Sequence, residues 1–482
     1  MKWPSVPSSW LTVSWAIFLV LAVIAFLAVS GFSLSIALGL GFLVAILFVW
    51  RFPFGSLYVA FCSLLLTGII VPISTGTLQF GERAFGTAIE VSLGELVTLV
   101  VMLGWALRLV TLRDTKAQGV ARPWLPLSLG FAALIGAHFL SVFSPALPDP
   151  VMVIKYTLRP VLFVYLAAVV LPANFVRSWR RMDEACLALV LISAWFALDG
   201  VRSLFMVGGD TLGLYRAHPL TLFGLNPLGG NHHALAELMV LAAPLALALA
   251  MRASEAWLRR IYYATSMVFW AVALLTFARA AWLVVAVQVF FLALFVWRDW
   301  IRAHVRVLVL SGLFLLPFAL YMAWFSLGVG VADSTSARSL LLQVAWNFFR
   351  DSPWVGVGAG MFRERLSHIW AFTVEFGTAE DAHGMWQKMG AETGLVGLGA
   401  LVFTFWSLIS LVRGQWRRLL SDSHEARWFL CLVASVIGAL TYQFFSTSLW
   451  SPRVWISVGL LLAGIRLLHT HVARRDPDFL RT

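Results

Sequence analysis

The side chains in this sequence best suited to chemistry are one histidine and several arginines scattered along the chain. His383 follows Glu380 and Asp381 and precedes a long apolar run. An imidazole so placed can take a proton near neutral pH, with the carboxylates orienting or biasing it. Arg216 lies in an irregular stretch, Gly208 to His233, and Asn231, His232 and His233 open the helix that follows. A helix N-terminus beside a guanidinium suits a phosphate, because orphan amides and the macrodipole both favour negative charge. Arg279 interrupts two apolar stretches, and Arg338 sits near the start of an amphipathic pattern. Two blander readings stand beside this one. A single cation near a hydrocarbon boundary can snorkel to lipid phosphates. Glu380, Asp381 and His383, or His218, His232, His233 and Glu237, have the residue types of a carboxylate–histidine metal site.

The elements that must carry these residues are membrane helices. The chain has 482 residues, 61% hydrophobic and only 12% charged, with a mean hydropathy of +0.87. That balance excludes a soluble globular enzyme. At about 20 apolar residues per crossing, the composition supplies roughly 12 to 14 spans. The expectation is an all-α, polytopic helical bundle, one integral membrane domain over 1–482, of about 14 spans. Candidate spans are two within 10–50, then 54–74, 91–110, 124–143, 151–171, 186–207, 234–251, 261–278, 280–297, 307–330, 390–412, 428–449 and 454–469. Cys62, Cys186 and Cys431 all fall in apolar runs, so neither a disulfide framework nor a cysteine metal site is expected. The net charge of +12 is scattered through short loops, which fits membrane topology and gives no nucleic-acid groove.

Basic residues near span ends mark the cytoplasmic side. Clusters at 108–122, 177–181, 252–260, 298–306 and 413–427, with both termini, hold most of the 35 Lys and Arg. The remainder, among them Arg83, Lys155, Arg159, Arg202, Arg216, Arg279, Arg338 and Arg453, lie within spans or on the opposite side. As a set they predict an anion-binding cavity on the outer face. Asp199 and Arg202 are spaced to pair, and Lys155 and Arg159, at i and i+4, share a face that could extend the anion site. Two outer loops follow from this orientation, 208–233 with Arg216 and 331–389 with His383. In the second, Ser334, Thr335 and Ser336 offer N-cap oxygens to a helix whose apolar face includes Leu341, Val344 and Phe348. A glycine run at Gly356, Gly358 and Gly360 makes a turn, and a second short amphipathic helix follows from Met361. Both helices are expected to lie flat in the membrane interface, apolar side down.

Three blocks taken in order resemble the O-antigen ligase and polymerase family of bacterial envelope proteins. They are the Arg216 loop ending in NPLGGNHHALAELMVLAAPLALALA, the turn LLTFARAAWLVVAV, and STSARSLLLQVAWNFFRDSPWVGVGAGMF followed by DAHGMWQKMGAETGLVGLGALVF. The resemblance covers about 200–410 by motif and most of the chain by topology. Departures are Ala278 and Ala280 around the turn arginine, and Gly384 where the family pattern has asparagine after the histidine. The histidine and Arg216, Arg279 and Arg338 are retained.

The resemblance implies a multi-pass enzyme of the bacterial inner membrane that works on the periplasmic side without a cofactor. It would transfer glycan from undecaprenyl diphosphate to a hydroxyl of lipid A-core, a growing glycan or a protein. His383 would be the general base, and Arg216, Arg279 and Arg338 would hold the diphosphate, with inversion at the anomeric carbon and no metal. The rival reading is a flippase for lipid-linked glycan. That would need cations reachable from both faces and favours an internal repeat, whereas here the cations concentrate outside and no repeat is visible. A scaffold protein would need neither the histidine nor the broken backbone beside it.

Overall fold

The computed structural model describes residues 34–72, 90–111, 124–145, 150–206, 216–221, 226–229, 231–328, 331–370, 372, 374, 381–415 and 424–475. The first expected crossing, Arg83, Glu380 and parts of both outer loops lie outside these. Helices α1 (Leu34–Arg51) and α2 (Pro53–Leu64) are followed by a short antiparallel ribbon, β1 (Ile70–Pro72) on β2 (Glu90–Ser92), which leads into α3 (Leu93–Thr111). The expected span over 54–74 is therefore a helix ending at Leu64 and then a strand. Helix α4 (Ser128–Leu140) precedes α5 (Pro150–Tyr156), which runs on through π-helical turns at Thr157–Leu162 and Tyr165–Val170 to Leu171–Phe175. Then come α6 (Trp179–Met206), α7 (His232–Arg252), α8 (Ala256–Leu275), α9 (Arg279–Phe295) and α10 (Arg298–Gly328). The chain ends with α11 (Val331–Asp351), α12 (Phe362–Ser367), α13 (Met385–Arg413), α14 (His424–Tyr442) and α15 (Pro452–Arg475).

Among the described residues, 7 helices are long and apolar enough to cross a membrane, or up to 8 if α9 and the first part of α10, bent at 108°, form one span. Shorter apolar helices at Gly41–Arg51, Gly55–Leu64 and Ser128–Phe143 accompany them. The chain is an all-α, multi-pass membrane protein. Large apolar side chains such as Phe205, Phe290, Phe314 and Trp406 stand exposed around it, as a hydrocarbon surround demands.

Helix α7 is the centre. Every residue from Leu235 to Ala250 is buried, which is why its sequence is apolar all round rather than striped. Its many alanines let α6, α8 and α14 pack closely against it. Pro244 interrupts it, and proline has no N–H to offer the carbonyl four residues back, Val240. Gln288 of α9 supplies the missing donor, its Nε2 lying 2.7 Å from that carbonyl and 3.1 Å from the Ala434 carbonyl of α14. Trp270 of α8 donates to Gln288 Oε1 at 3.1 Å. Ser266 and Ser435 add further bonds to the Ala243 and Leu241 carbonyls, both at 2.8 Å. One polar side chain thus ties four helices in a region with no water to substitute for it.

The second outer loop departs from expectation in two ways. Helix α11 begins at Val331, so Ser334, Thr335 and Ser336 lie within it rather than ahead of it. Nor do the two amphipathic helices simply lie apolar side down. Leu341, Val344 and Phe348 of α11 close on Phe362 and Leu366 of α12 and on Ala391 of α13, a small core of their own. Trp346, Trp354 and Trp370 remain exposed and suit the interface.

Replacing Gln288 by leucine should destabilise the bundle by about 1–3 kcal/mol, because a buried carbonyl is stranded. Gly438→Ala should act in the same direction, since its Cβ would come within 2.0 Å of Gln288 Nε2. Thermal unfolding in detergent measures both, and an unchanged Tm for Gln288→Leu would show that the clamp contributes nothing.

Candidate active site

The site is assembled around the first turn of α7. Asn231 caps that helix, its Oδ1 accepting from the His233 N–H at 2.9 Å. The His233 ring meets the Tyr442 hydroxyl of α14 at 3.1 Å, and the adjacent His232 ring lies 3.5 Å from an Arg216 guanidinium nitrogen. The two imidazoles are 4.2 Å apart, each turned to its own partner.

Arg216 is held by its neighbours' backbone. The Ala217 N–H donates to the Leu275 carbonyl at the end of α8 at 2.8 Å, the His218 N–H to Ser203 Oγ at 3.0 Å, and the Leu220 N–H to Asp199 Oδ2 at 2.9 Å. Asp199 also pairs with Arg202 at 2.8 Å, the i, i+3 contact its spacing suggests. The same end of α8 leads into the turn that delivers Arg279. Phe277 takes a positive φ of 53°, an unfavourable setting for a large side chain, and Arg279 then becomes the first residue of α9. The Leu275 carbonyl thus ties the residue after Arg216 to the end of α8, four positions before Arg279 in sequence.

His383 arrives from the other side. After it the Met385 N–H donates to the Gln443 carbonyl at 2.9 Å, pinning the start of α13 to the end of α14. Lys388, buried one turn on, pairs with Asp381 and lies 3.9 Å from Glu392. Glu392 Oε1 accepts from the Phe362 N–H at 3.1 Å, and Val357 and Gly358 donate to the Ala391 and Glu392 carbonyls. Gly394, with φ of 61°, breaks α13 so that Leu395 and Val396 give their N–H groups to the Pro353 and Trp354 carbonyls. The whole 353–362 turn is thereby fastened to residues 391–396 of α13.

The four sequence-selected residues meet in one electrostatic neighbourhood. Charges acting on the His233 ring include Arg338, His383, Arg216 and Arg279, and those acting on His232 include Arg216, His218 and Arg338. Arg338 of α11 also acts on Tyr442. Helices α7, α9 and α13 all begin here, so their positive ends reinforce the guanidiniums. Such a place can hold a multiply charged anion beside a proton acceptor.

Several participants escaped the sequence reading. Glu237 and Arg453, treated there as a possible metal ligand and an outer cation, are a buried pair at 3.5 Å. Gln443 and Ser448 donate to Glu237 at 2.8 and 2.6 Å. Arg453 donates to the Ala234 carbonyl at 3.0 Å and also to Thr67. Glu237 is thus committed to an ion pair, and Asp381 to Lys388. Among the described residues, no three His, Cys, Asp or Glu side chains are grouped as metal ligands.

Gly384 has its own physical reason. Its backbone is extended, and a Cβ there would lie 2.9 Å from the Phe444 carbonyl. Gly384→Asn, which restores the family's residue, should therefore lower stability by about 1–3 kcal/mol through overpacking. It should also cut turnover at least tenfold by shifting His383. Tm and a transfer assay on the same preparation check this, and an asparagine variant more active than the parent would refute it.

Residues 264–402 match the family model described as O-Antigen ligase. The matched stretch holds Arg279, Arg338 and His383, whereas Arg216 lies before it. No curated protein matched the chain. The match covers the arginine turn, α11, the glycine turn and the histidine segment, and over that stretch this membrane chain is similar to the O-antigen ligase family.

Proposed function

We propose that this protein, a membrane enzyme of ligase or polymerase type, moves a glycan from undecaprenyl diphosphate to an acceptor hydroxyl at the end of the bundle that holds His383. That end faces the periplasm if the basic loops mark the cytoplasmic side. The observation that carries the reading is the meeting of Arg216, Arg279, Arg338 and His383 around the first turn of α7, from four separate segments.

In the proposed reaction a ring nitrogen of His383 takes the proton of the acceptor hydroxyl as its oxygen attacks the anomeric carbon. The bond from that carbon to the diphosphate oxygen breaks, and the electron pair leaves with undecaprenyl diphosphate. Attack opposite the leaving group inverts the anomeric configuration. Charge grows on the diphosphate as the bond opens, and fixed guanidiniums with three helix N-termini stabilise it in a low-dielectric site. This arrangement lets the protein's own cations do the work for which many soluble transferases use a divalent ion.

Purified protein given synthetic lipid-linked donor and acceptor should lose about 10²–10⁴ in rate as His383→Ala while still binding donor. Arg216→Ala and Arg279→Ala should each lose about 10²–10³. Transfer should survive EDTA. A His383→Ala rate within threefold of the parent would remove the base assignment. Loss of activity on chelation, restored by a divalent ion, would remove the metal-free mechanism. Ligase, polymerase and protein-modifying roles separate by which acceptor, lipid A-core, glycan or polypeptide, gains mass.

A further inference from the structure

A cavity of about 470 Å³ opens between α5, β2, α3 and the turn before α15, apart from the arginine set around His233. Its size falls in the range of small-ligand sites, roughly 300–1,000 Å³. Three cations line it, Lys155, Arg159 and Arg453, against one carboxylate, Glu95. Arg159 and Glu95 pair at 3.1 Å and Arg453 pairs with Glu237 behind the wall, so three cations stand against two carboxylates and the balance stays positive. Arg453 is buried, and its Nε has no hydrogen-bond partner among the described residues.

Two aromatic walls complete the chamber. Trp450 is set by edge contact with His138 at 5.5 Å and stacking on Trp455 at 6.2 Å. Tyr156 lies parallel to His138 at 6.2 Å and carries Lys388 over its ring at 5.4 Å. Their neighbours hold these rings rigidly, and the parts that reach the lining offer apolar surface to the C–H groups of a pyranose. Hydroxyls of Ser92 and Ser451 stand among them. Cations, hydroxyls and flat rings together fit a charged sugar better than a lipid chain, which needs none of the polar groups, or a bare phosphate, which needs no aromatic wall.

The chamber is one layer of side chains from the candidate active site. Lys388, which touches Tyr156, is five positions after His383. Arg453 bonds the carbonyl of Ala234, the residue after His233. We infer that this cavity is an acceptor-side subsite for an anionic saccharide, one bearing a carboxylate or phosphate, with Lys155 and Arg159 as its charge-reading residues. The assignment to the acceptor rests on the transferase reading above. The binding itself does not need His383. An arriving anion would compete with Glu95 for Arg159.

The test uses the full chain in phosphatidylcholine nanodiscs, with trigalacturonide, glucose 6-phosphate and maltotriose as probes, read by saturation-transfer NMR and titration calorimetry. The charged probes should bind at least tenfold more tightly than maltotriose. Lys155→Gln should weaken them at least fivefold, and so should Arg159→Gln combined with Glu95→Gln, which leaves no unpaired carboxylate. His383→Ala should bind them as the parent does. Equal affinity for charged and neutral probes would overturn the proposal, as would unchanged affinity in the Lys155 and Arg159 variants. Nanodiscs containing phosphatidylglycerol provide a further arm. Complete displacement of the charged sugars there would show that the site reads lipid headgroups, and would also overturn it. Because His383→Ala separates binding from transfer, loss of the catalytic reading leaves these outcomes unaffected, and the reverse holds too.

Discussion

A guanidinium and a carboxylate removed from water, Arg453 and Glu237, fix the geometry on which everything else here rests. Burying two charges costs several kcal/mol each, and their mutual attraction offsets that only when the remaining hydrogen-bonding positions are filled. Here Gln443, Ser448, Thr67 and the Ala234 carbonyl fill most of them. Each partner belongs to a different element, so satisfying the pair aligns α7, α14, α15 and the segment after α2. Gln443 then presents its own carbonyl to the start of α13, which sets His383. Arg453 meanwhile forms one wall of the second cavity. Removal of either charge would strand the other, a loss of about 3–5 kcal/mol at the junction of both sites.

Collecting arginines and helix N-termini at one point is electrostatically unfavourable until an anion arrives, and the protein holds Arg216 there with hydrogen bonds to the backbone beside it. The Leu275 carbonyl, the Ser203 hydroxyl and the Asp199 carboxylate anchor the backbone beside Arg216 rather than its guanidinium. The guanidinium itself lies 3.5 Å from the His232 ring, so main chain and side chain are each held in place. Phe277 reflects the same logic, since a bulky residue at positive φ persists only where its surroundings over-determine it.

The sequence shows the chemistry more readily than the architecture that serves it. His383 and the three arginines stood out less by residue type, since a lone cation can snorkel, than because the blocks that hold them resemble a known family, and Asp199 with Arg202 because a helix brings i and i+3 together. Pairs separated by long stretches left no such trace. Arg159 and Glu95 are 64 residues apart, and Glu237 and Arg453 lie on different helices. Gln288 reads as an ordinary polar residue in a span until Pro244 is seen to need a donor. The apolar stripes of α11 and α12 were legible, but a stripe does not say whether lipid or another stripe will cover it. The folding of both against α13 is a tertiary fact.

Helix α5 holds one more consequence. Each of the two π turns inserts a residue into the winding, and each rotates the side chains before Thr157 by roughly 100° relative to where an unbroken α-helix would set them. Lys155 and Tyr156 owe their aspect to that offset. Deleting a single residue within either π segment would regularise that turn and suit its hydrogen bonds well. It would also swivel the upstream pair out of alignment with Trp450. The less regular coil is the one that keeps Lys155 and Tyr156 on the lining of the chamber.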